Sequence, residues 1–393
     1  MDGAQTSSAR EETSRTKALC IAEVACTAVD PLREIKAQLG AGPFALVCLF
    51  ASPRTDFRAL VQATAGGFGD ADVLACTTAG ELGRGGYADG LIIAVAFPAD
   101  LYAVSTVPID NLGALDAPVL MDMLIRKRMA LTQRAADMPF EFGFLMVDGL
   151  SQREENLTEI LASGLGPMPL FGGSAGDGAD FSATWLAHNG RIRQNAASLA
   201  LIRSRCPVRV FSLDHLRPTE TRMVVTAADP DNRIVHEINA EPAALEYARL
   251  LGKDPEQLDP FTFAAHPVVV RLGDSHHVRS IRMVGPNNEL YFFSAINEGM
   301  VLTLATHDDM VTDLDRGLTA LAAAEQPEQI LGCDCLLRRI EAEQTQKSRA
   351  VSDILVRHNV IGFSTYGEQI GALHVNQTLT GVAIYPPLQT APG

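Results

Sequence analysis

D-V-L-A-C-T-T-A-G-E-L at residues 72–82 and N-V-I-G-F-S-T-Y-G-E-Q-I at residues 359–370 are two versions of one pattern. Each is an apolar run, which predicts a buried strand, followed by Thr-x-Gly-Glu. The motif residues are Thr78, Gly80 and Glu81 in the first version and Thr365, Gly367 and Glu368 in the second. A strand that ends in a glycine turn beside a hydroxyl and a carboxylate is a common place for a binding site. The repeat predicts two related halves, with chance similarity of two strand ends as the alternative.

Strand patterns dominate the chain around this repeat. Continuous apolar runs predict strands that are buried on both faces, at 44–52, 73–78, 91–97, 101–107 and 142–148. A helix is predicted at 31–39, with Asp30 as its N-cap. Asn189-Gly190 predicts the turn of a hairpin at 184–192. These elements predict an α+β fold of two domains, each a β-rich sheet flanked by helices.

The length of the chain sets the predicted domain organisation. A chain of 393 residues exceeds one typical core, which favours two domains. Residues 1–16 are polar and are expected to form a disordered tail. We place the first domain at 17–225 and the second at 226–393.

Composition limits the classes of partner. The net charge of -15 disfavours nucleic acid and anionic membranes as main partners. No apolar run reaches the roughly 18 residues of a membrane helix, and the polar N-terminus lacks the apolar stretch of a signal peptide. The seven cysteines fit reduced thiols, so we expect a cytoplasmic protein.

F-G-G-S-A-G-D-G at residues 171–178 is the most glycine-dense segment. It lacks the lysine of a phosphate loop and the spacing of a dinucleotide fingerprint. We therefore predict a ligand-approach loop, with Gly172, Gly173 and Asp177 as candidate contacts, and a plain connecting loop as the alternative.

Histidines and glutamates are the other candidates for chemistry. His188 and His374 could each ligate a metal or haem iron, although a structural role is the commoner fate of one buried histidine. The adjacent pair at 276–277 is expected in a solvated turn. Glu81 and Glu368 could form a carboxylate pair, but no nucleophile–base pairing is recognisable, so we expect a protein that is not an enzyme.

Four motifs in a fixed order carry a resemblance to a known family. C-T-T-A-G-E-L, F-G-G-S-A-G-D-G, G-F-S-T-Y-G-E and H-V-N-Q-T-L-T resemble the FIST family, over about residues 40–385. The resemblance implies a FIST N-terminal domain followed by a FIST C-terminal domain. It also implies a sensory ligand-binding module in signal transduction, with amino acids as suggested ligands.

The arrangement without a kinase or cyclase domain is similar to the bacterial nitric-oxide-sensing haemoproteins of this family. That similarity implies a haem cofactor, nitric oxide as ligand, and a partner histidine kinase in two-component regulation of biofilm behaviour. His188, near Trp185, is the first choice of axial haem ligand and His374 the second. A haem-free FIST module that binds an amino acid or another metabolite is the alternative, and a homodimer is left open. We expect the two Thr-x-Gly-Glu turns and Asn376 to line one ligand cleft between the domains.

Overall fold

The structure is a computed structural model that describes residues 17–272 and 275–388. The predicted tail at 1–16 lies outside the described residues. Within them the strands form four sheets, and helices cover the sheets. None of the helices described is both long and apolar enough to span a bilayer. The predicted α+β fold, with sheets flanked by helices, is confirmed.

One order of elements, β-α-β-α-β-β-β-β, occurs three times along the chain. Unit 1 contains β1 (Cys20–Ala25), α1 (Pro31–Leu39), β2 (Phe44–Ala51), α2 (Phe57–Thr64), β3 (Asp72–Thr77), β4 (Glu81–Gly83), β5 (Gly86–Ala88) and β6 (Leu91–Pro98). Unit 2 contains β7 (Tyr102–Asp110), α3 (Ala117–Arg134), β8 (Phe140–Val147), α4 (Glu154–Leu165), β9 (Leu170–Ser174), β10 (Leu186–His188), β11 (Arg191–Arg193) and β12 (Ala196–Ser204).

Unit 3 has the same order except that two helices stand in place of its second helix, and it is interrupted after its first strand, β13 (Val208–Leu213). The interruption, residues 216–307, is called the insert. It contains β14 (Leu216–Asp229), β15 (Ile234–Ile238), β16 (Glu241–Pro242), α5 (Ala243–Leu251), α6 (Pro260–Ala265), β17 (Val268–Leu272), β18 (Ser275–Arg279), β19 (Ile281–Val284), β20 (Leu290–Phe292) and β21 (Val301–His307). Unit 3 then resumes with α7 (Met310–Leu321), β22 (Gln329–Cys335), α8 (Leu336–Gln344), α9 (Ser348–Arg357), β23 (Val360–Thr365), β24 (Glu368–Ile370), β25 (Leu373–Val375) and β26 (Leu379–Ile384).

The three units build their sheets in the same way. The strand orders are β1-β6-β2-β3, β7-β12-β8-β9 and β13-β26-β22-β23. In each sheet the last two strands are parallel and are joined by a helical crossover, which parallel pairing requires. The insert forms the fourth sheet by itself.

Each unit lends its short hairpin to the sheet of another unit. The β4–β5 hairpin of unit 1 pairs with β23, the β10–β11 hairpin of unit 2 pairs with β3, and the β24–β25 hairpin of unit 3 pairs with β9. The exchange is cyclic, so every unit both gives and receives a hairpin. It ties segments together that are up to about 280 positions apart in the chain, as in the pairing of Glu81 with Phe363.

The inner faces of the three unit sheets enclose one shared apolar core. Phe50, Phe144 and Phe363 come from different units and meet there. The rings of Phe50 and Phe363 stack with centroids 4.4 Å apart, and Phe144 meets Phe50 edge-on at 6.2 Å. Such aromatic pairs add about 0.5–1.5 kcal/mol each to the burial of their area.

Local signals in the sequence account for many element ends. Asp30 caps α1 through the backbone N–H of Arg33, as predicted. Asn189 and Gly190 have φ values of 48° and 79°, the left-handed pair of a tight hairpin turn, and this prediction is confirmed too.

The structure differs from several local predictions. The residue pattern at 341–356 predicts a single helix, but the structure has α8 and α9 there, with Gln346 at a φ of 57° between them. The pair at 276–277 lies in β18 rather than in a turn. The glycine-dense segment is half strand, because β9 extends to Ser174. The boundary placed between 225 and 226 falls inside β14, which runs without a break across it.

Candidate functional site

The Thr-x-Gly-Glu turn has a third copy that the sequence analysis missed. Ser174-Ala175-Gly176-Asp177 follows β9 of unit 2 as Thr-x-Gly-Glu follows β3 and β23. We call residues 78–81, 174–177 and 365–368 turn 1, turn 2 and turn 3. Turn 2 was hidden because serine replaces threonine and aspartate replaces glutamate. The available signal was an apolar run followed by the same hydroxyl-x-Gly-carboxylate order.

Turns 1 and 3 use their glutamates in the same structural way. Glu81 accepts hydrogen bonds from the Thr78 hydroxyl and, at 3.0 Å, from the backbone N–H of Leu91 at the start of β6. Glu368 accepts from the Thr365 hydroxyl and, at 3.2 Å, from the N–H of Thr378 just before β26. Each carboxyl group thus joins its turn to the last strand of its own unit.

Both glutamates are fully buried, at 0 % exposure. Burial raises the pKa of Glu81, and it raises the pKa of Glu368 to about 8. Burial therefore favours the protonated form of Glu368. The two side chains are not an open carboxylate pair, since each is enclosed by protein.

Turn 2 departs from this arrangement. Asp148, after β8, takes the structural role: it accepts from the backbone N–H groups of Asn195, just before β12, at 2.5 Å and of Leu150 at 3.0 Å. Asp177 therefore does not make this contact, and its carboxylate lies on the other side of the turn. There it accepts from the N–H and hydroxyl of Ser182, both at 2.8 Å, and from the hydroxyl of Tyr366.

The hydrogen bonds to Asp177 keep its carboxylate charged. Burial acts to raise its pKa, but the Tyr366 hydroxyl and the donors of residues 182–183 outweigh that effect and lower the pKa. One of the three turns therefore presents a carboxylate at the place where the other two have an enclosed carboxyl group.

Two adjoining cavities open above turns 1 and 2, and together we call them the cleft. Their volumes are about 400 Å³ and about 310 Å³. Pro53, Asp177 and Asp180 line both cavities. The cleft lies at the carboxyl ends of the parallel strands β2 and β3, where ligands bind in α/β sheets.

The lining of the cleft combines an apolar wall with several charges. Trp185, the only tryptophan of the chain, stands with Phe57 and Ile192 on one side. The charged residues that line it are Arg54, Asp56, Arg58, Asp89, Asp177 and Asp180. The buried hydroxyl of Thr55 also lies there and has no hydrogen-bond partner among the described residues. A buried polar atom without a partner is rare in a folded protein and is consistent with a polar ligand or water.

Some of the predicted contact residues reach the cleft. Gly80, Glu81 and Asp177 line it, and Thr78 lies directly behind them. Gly80 has a φ of 133°, and an added Cβ would meet the Arg339 guanidinium at 1.9 Å, so both conformation and space require glycine there.

Other predicted contacts have structural surroundings. Gly172 and Gly173 lie in β9 rather than in a loop: a Cβ on Gly172 would come within 2.3 Å of the Leu145 carbonyl, and one on Gly173 within 2.4 Å of Thr365. Their lack of a side chain serves packing.

Turn 3 faces the insert. A Cβ on Gly367 would lie 2.3 Å from the ring of His374. The amide oxygen of Asn376 accepts from the Ser294 hydroxyl of the insert at 2.8 Å. The three turns do meet, because Ala79, Gly176 and Tyr366 are in close contact.

The two candidate haem ligands are held by hydrogen bonds inside the protein. His188 Nε2 lies 3.1 Å from the Thr106 hydroxyl, and its Nδ1 lies 3.4 Å from that of Ser198. His374 Nδ1 lies 3.2 Å from the side-chain nitrogen of Gln369. Burial lowers the pKa of both imidazoles. Both nitrogens of His188 are thus engaged, and the ring of His374 packs on Gly367, so neither fits an axial haem ligand as it stands.

A cluster at the base of the insert has the composition of a metal site. His215 Nε2 lies 2.9 Å from both carboxylate oxygens of Glu341, and His307 Nδ1 lies 3.0 Å from one of them. Arg338, however, contacts His215 Nδ1 at 3.0 Å. Because arginine only donates, the proton of a neutral His215 must be on Nε2, which leaves no lone pair there for a metal. In that form His215 Nε2 donates a hydrogen bond to the Glu341 carboxylate.

Comparison with protein families agrees with the resemblance seen in the sequence. Residues 45–241 match the FIST N domain, and residues 243–371 match the FIST C domain. The two matches adjoin within the insert, between β16 and α5. A search of curated proteins found no match. Because the FIST N match alone covers half of the chain, this protein belongs to the FIST family, with a FIST N domain followed by a FIST C domain.

Proposed function

We propose that this protein is a sensor that binds a small molecule with a cationic group, such as an amino acid, in the cleft. FIST domains are associated with signal transduction and with sensing of small ligands. The observation that carries the proposal is the position of Asp177. Asp177 lines both cavities of the cleft and has a lowered pKa, whereas Glu81 lines only the smaller cavity and has a pKa raised by burial, and Glu368 lines neither.

The charges of the cleft favour a cationic group over an anionic one. Asp89 is already paired with Arg339 at 2.6 Å, and the other three aspartates, Asp56, Asp177 and Asp180, still outnumber the two lining arginines, Arg54 and Arg58. The ammonium group of a ligand can therefore pair with the Asp177 carboxylate. One of the two arginines at the rim of the cleft can pair with the carboxylate of the same ligand. The Trp185 wall provides apolar area and a ring face for a cation. A volume of about 400 Å³ suits a ligand of amino-acid size or somewhat larger.

The fluorescence of Trp185 gives a direct test, since no other tryptophan contributes to it. Titration with a panel of amino acids should change its emission and stabilise the fold by about 2.7 kcal/mol at a hundred times Kd. Asp180→Asn should weaken binding about tenfold, whereas Asp70→Asn, an exposed substitution outside the cleft lining, should not. If neither emission nor thermal midpoint responds to any member of the panel, this ligand class is wrong.

We also propose that the protein does not catalyse a reaction. The residues that line the cleft include neither histidine nor cysteine, the side chains most often used as base or nucleophile. Asp177 is held by several donors and has a lowered pKa, which suits binding of a cation and not uptake of a proton. Chromatography can measure the concentration of an added ligand over time. If the protein consumes the ligand, the proposal is wrong.

The narrower proposal is a cytoplasmic haem-based nitric oxide sensor that regulates a histidine kinase. It is supported by the sequence resemblance. The surroundings of His188 and His374 do not favour it, because each ring would have to give up contacts before it could bind iron. An absorption spectrum after addition of stoichiometric haem decides it: a Soret band that is lost in His188→Ala would support this version, and no band would end it.

A further inference from the structure

Tyr366 connects the cleft to the insert. Its hydroxyl donates to Asp177 and accepts from the backbone N–H groups of Asp177, at 3.1 Å, and Phe181, at 3.3 Å. Tyr366 occupies the second position of turn 3, and Ala79 occupies the same position of turn 1. The bond therefore links two of the three turns at the edge of the cleft.

Phe181 lies in the same segment and faces the insert. Its ring stacks on Tyr366 with centroids 4.4 Å apart, and it contacts Phe293 of the insert at 5.8 Å. The Arg282 guanidinium, also from the insert, lies 5.5 Å from the ring centroid. Phe181 has a φ of 50°, which is costly for a bulky residue and persists only where its surroundings enforce it.

The insert also docks on the rest of the protein through buried polar groups. Arg233 bridges Glu154 and Glu155 at the start of α4, at 2.5 Å and 2.7 Å. The backbone N–H of Ala295 donates to Glu155 at 2.9 Å. These contacts lie on the same side of the insert as Phe293, so exchange of the Ala295 amide proton reports how firmly the insert is docked.

We propose that residues 177–183 transmit ligand binding from the cleft to the insert, with Tyr366 as the positioning residue. A cation bound to Asp177 competes with the Tyr366 hydroxyl for the same carboxylate. When Tyr366 is displaced, the Phe181 ring loses its stacking partner and its contact with Phe293 weakens. The insert is then less firmly docked, which changes the surface available to a signalling partner. This inference rests on the proposed function, since it takes the cleft as the ligand site.

The size of the expected effect follows from one hydrogen bond. A net contribution of about 1 kcal/mol corresponds to about a fivefold change in an opening equilibrium or in affinity. Linkage makes the coupling reciprocal: if cation binding loosens the insert, loosening the insert must tighten cation binding by the same factor.

The first experiment needs no ligand. Tyr366→Phe removes only the hydroxyl, and hydrogen exchange of residues 288–297 should rise about fivefold, because the ring that touches the insert is less well held. Tyr385→Phe is the matched control, since it removes a hydroxyl that donates to Leu321 far along the chain from the cleft. Phe181→Leu should raise the same exchange if Tyr366→Phe proves too unstable to measure. Unchanged exchange in the measurable variant would overturn the coupling.

The second experiment uses benzylamine, which is cationic at neutral pH and can pack on Trp185. Saturation judged by Trp185 fluorescence should raise exchange of residues 288–297 in the unmodified protein and leave it unchanged in Phe181→Leu. Tyr366→Phe should bind benzylamine about fivefold more tightly, because Asp177 is no longer shared. Binding without any change in exchange would overturn the coupling and leave the cleft as ligand site. No binding would count against the cationic ligand class, and the comparison without ligand would then decide the coupling alone.

Discussion

Turn 2 and turn 3 follow equivalent strands, yet their carboxylates do opposite things. Glu368 in turn 3 is enclosed, has a raised pKa and joins its turn to the last strand of its unit. Asp177 in turn 2 is charged and faces a cavity. The difference depends on Asp148, which makes the strand contact in unit 2 and releases Asp177 from it.

This difference shows where the three units no longer use the same contacts. A motif repeated three times for structural reasons is expected to use the same contacts each time. Real proteins depart from such rules at functional sites and compensate elsewhere. Here the departure is Asp177 and the compensation is Asp148, so the irregular copy marks the candidate site better than the sequence motif does.

The largest effect is expected at turn 3. Glu368→Ala leaves the Thr378 N–H and two threonine hydroxyls without their acceptor in a buried place and creates a cavity, so we expect a loss of about 4 kcal/mol in the free energy of unfolding. Asp177→Ala should cost only about 1 kcal/mol. Urea denaturation of both variants measures the difference, and equal losses would show that the two turns are used alike.

The second effect is a pH dependence that turn 3 should show and turn 2 should not. The pKa of Glu368 is about 8 in the folded state and about 4.3 in an unfolded chain. Between these values the folded state keeps a proton that the unfolded state has released, so stability is greatest at low pH and falls as pH rises toward 8. Glu368→Gln imitates the protonated form and should remove roughly 4 kcal/mol of that fall.

Urea midpoints near pH 5 and pH 8 test this expectation, with Asp177→Asn as the control. Asp177 has a lowered pKa, so its contribution is present at both pH values and is lost only in stronger acid. A fall with pH that is equally steep in Glu368→Gln and in the unmodified protein would show that Glu368 is not its source.

The third effect tests the substitution of roles in unit 2. Asp148→Asn keeps the shape of the side chain but replaces one of the acceptors used by Thr184, Leu150 and Asn195, and should cost about 2 kcal/mol. Asp180→Asn, at the exposed rim of the cleft, should be near neutral in the same denaturation experiment. If Asp148→Asn is also neutral, then Asp148 does not stabilise unit 2 in the way that Glu81 and Glu368 are expected to stabilise units 1 and 3.

The smallest effect on stability is expected at Asp177 itself. Asp177→Asn keeps most of its hydrogen bonds and should cost about 1 kcal/mol or less, while the affinity of the cleft for a cationic probe falls about tenfold. Fluorescence of Trp185 measures the affinity and urea the stability. A large loss of stability with unchanged affinity would reverse the comparison and make turn 2 structural.

The sequence predicted strands, caps and tight turns well because those depend on local chemistry. Asp30, Asn189 and Gly190 act through their own backbone neighbours, and the apolar runs need only burial. The sequence could not show that β4 pairs with β23, since that register depends on contacts about 280 positions away. Asp148 was missed for the same reason: nothing near it indicates that it replaces Asp177.

The candidate site was predicted in part. Gly80 and Glu81 were named from the Thr-x-Gly-Glu motif and Asp177 from the glycine-dense segment, and all three line the cleft. Trp185 was noted only as a neighbour of His188. Its place in the cavity wall depends on residues 53–58 packing near residues 182–192, and these segments are far apart in the sequence. Gly172 and Gly173 were misplaced, since a glycine needed for close packing looks the same in sequence as one needed for a loop.

The cyclic exchange of hairpins has a consequence for how the chain is made. The sheet of unit 3 includes β4 and β5 from unit 1, and the sheet of unit 2 includes β24 and β25 from unit 3. The sheet of unit 1 can be completed once unit 2 has supplied β10 and β11, but the sheets of units 2 and 3 cannot be completed until unit 3 has left the ribosome. Unpaired strand edges therefore stay exposed to solvent during synthesis. This topology predicts slow folding and a need for chaperones. It also predicts that either half of the chain aggregates when it is expressed alone.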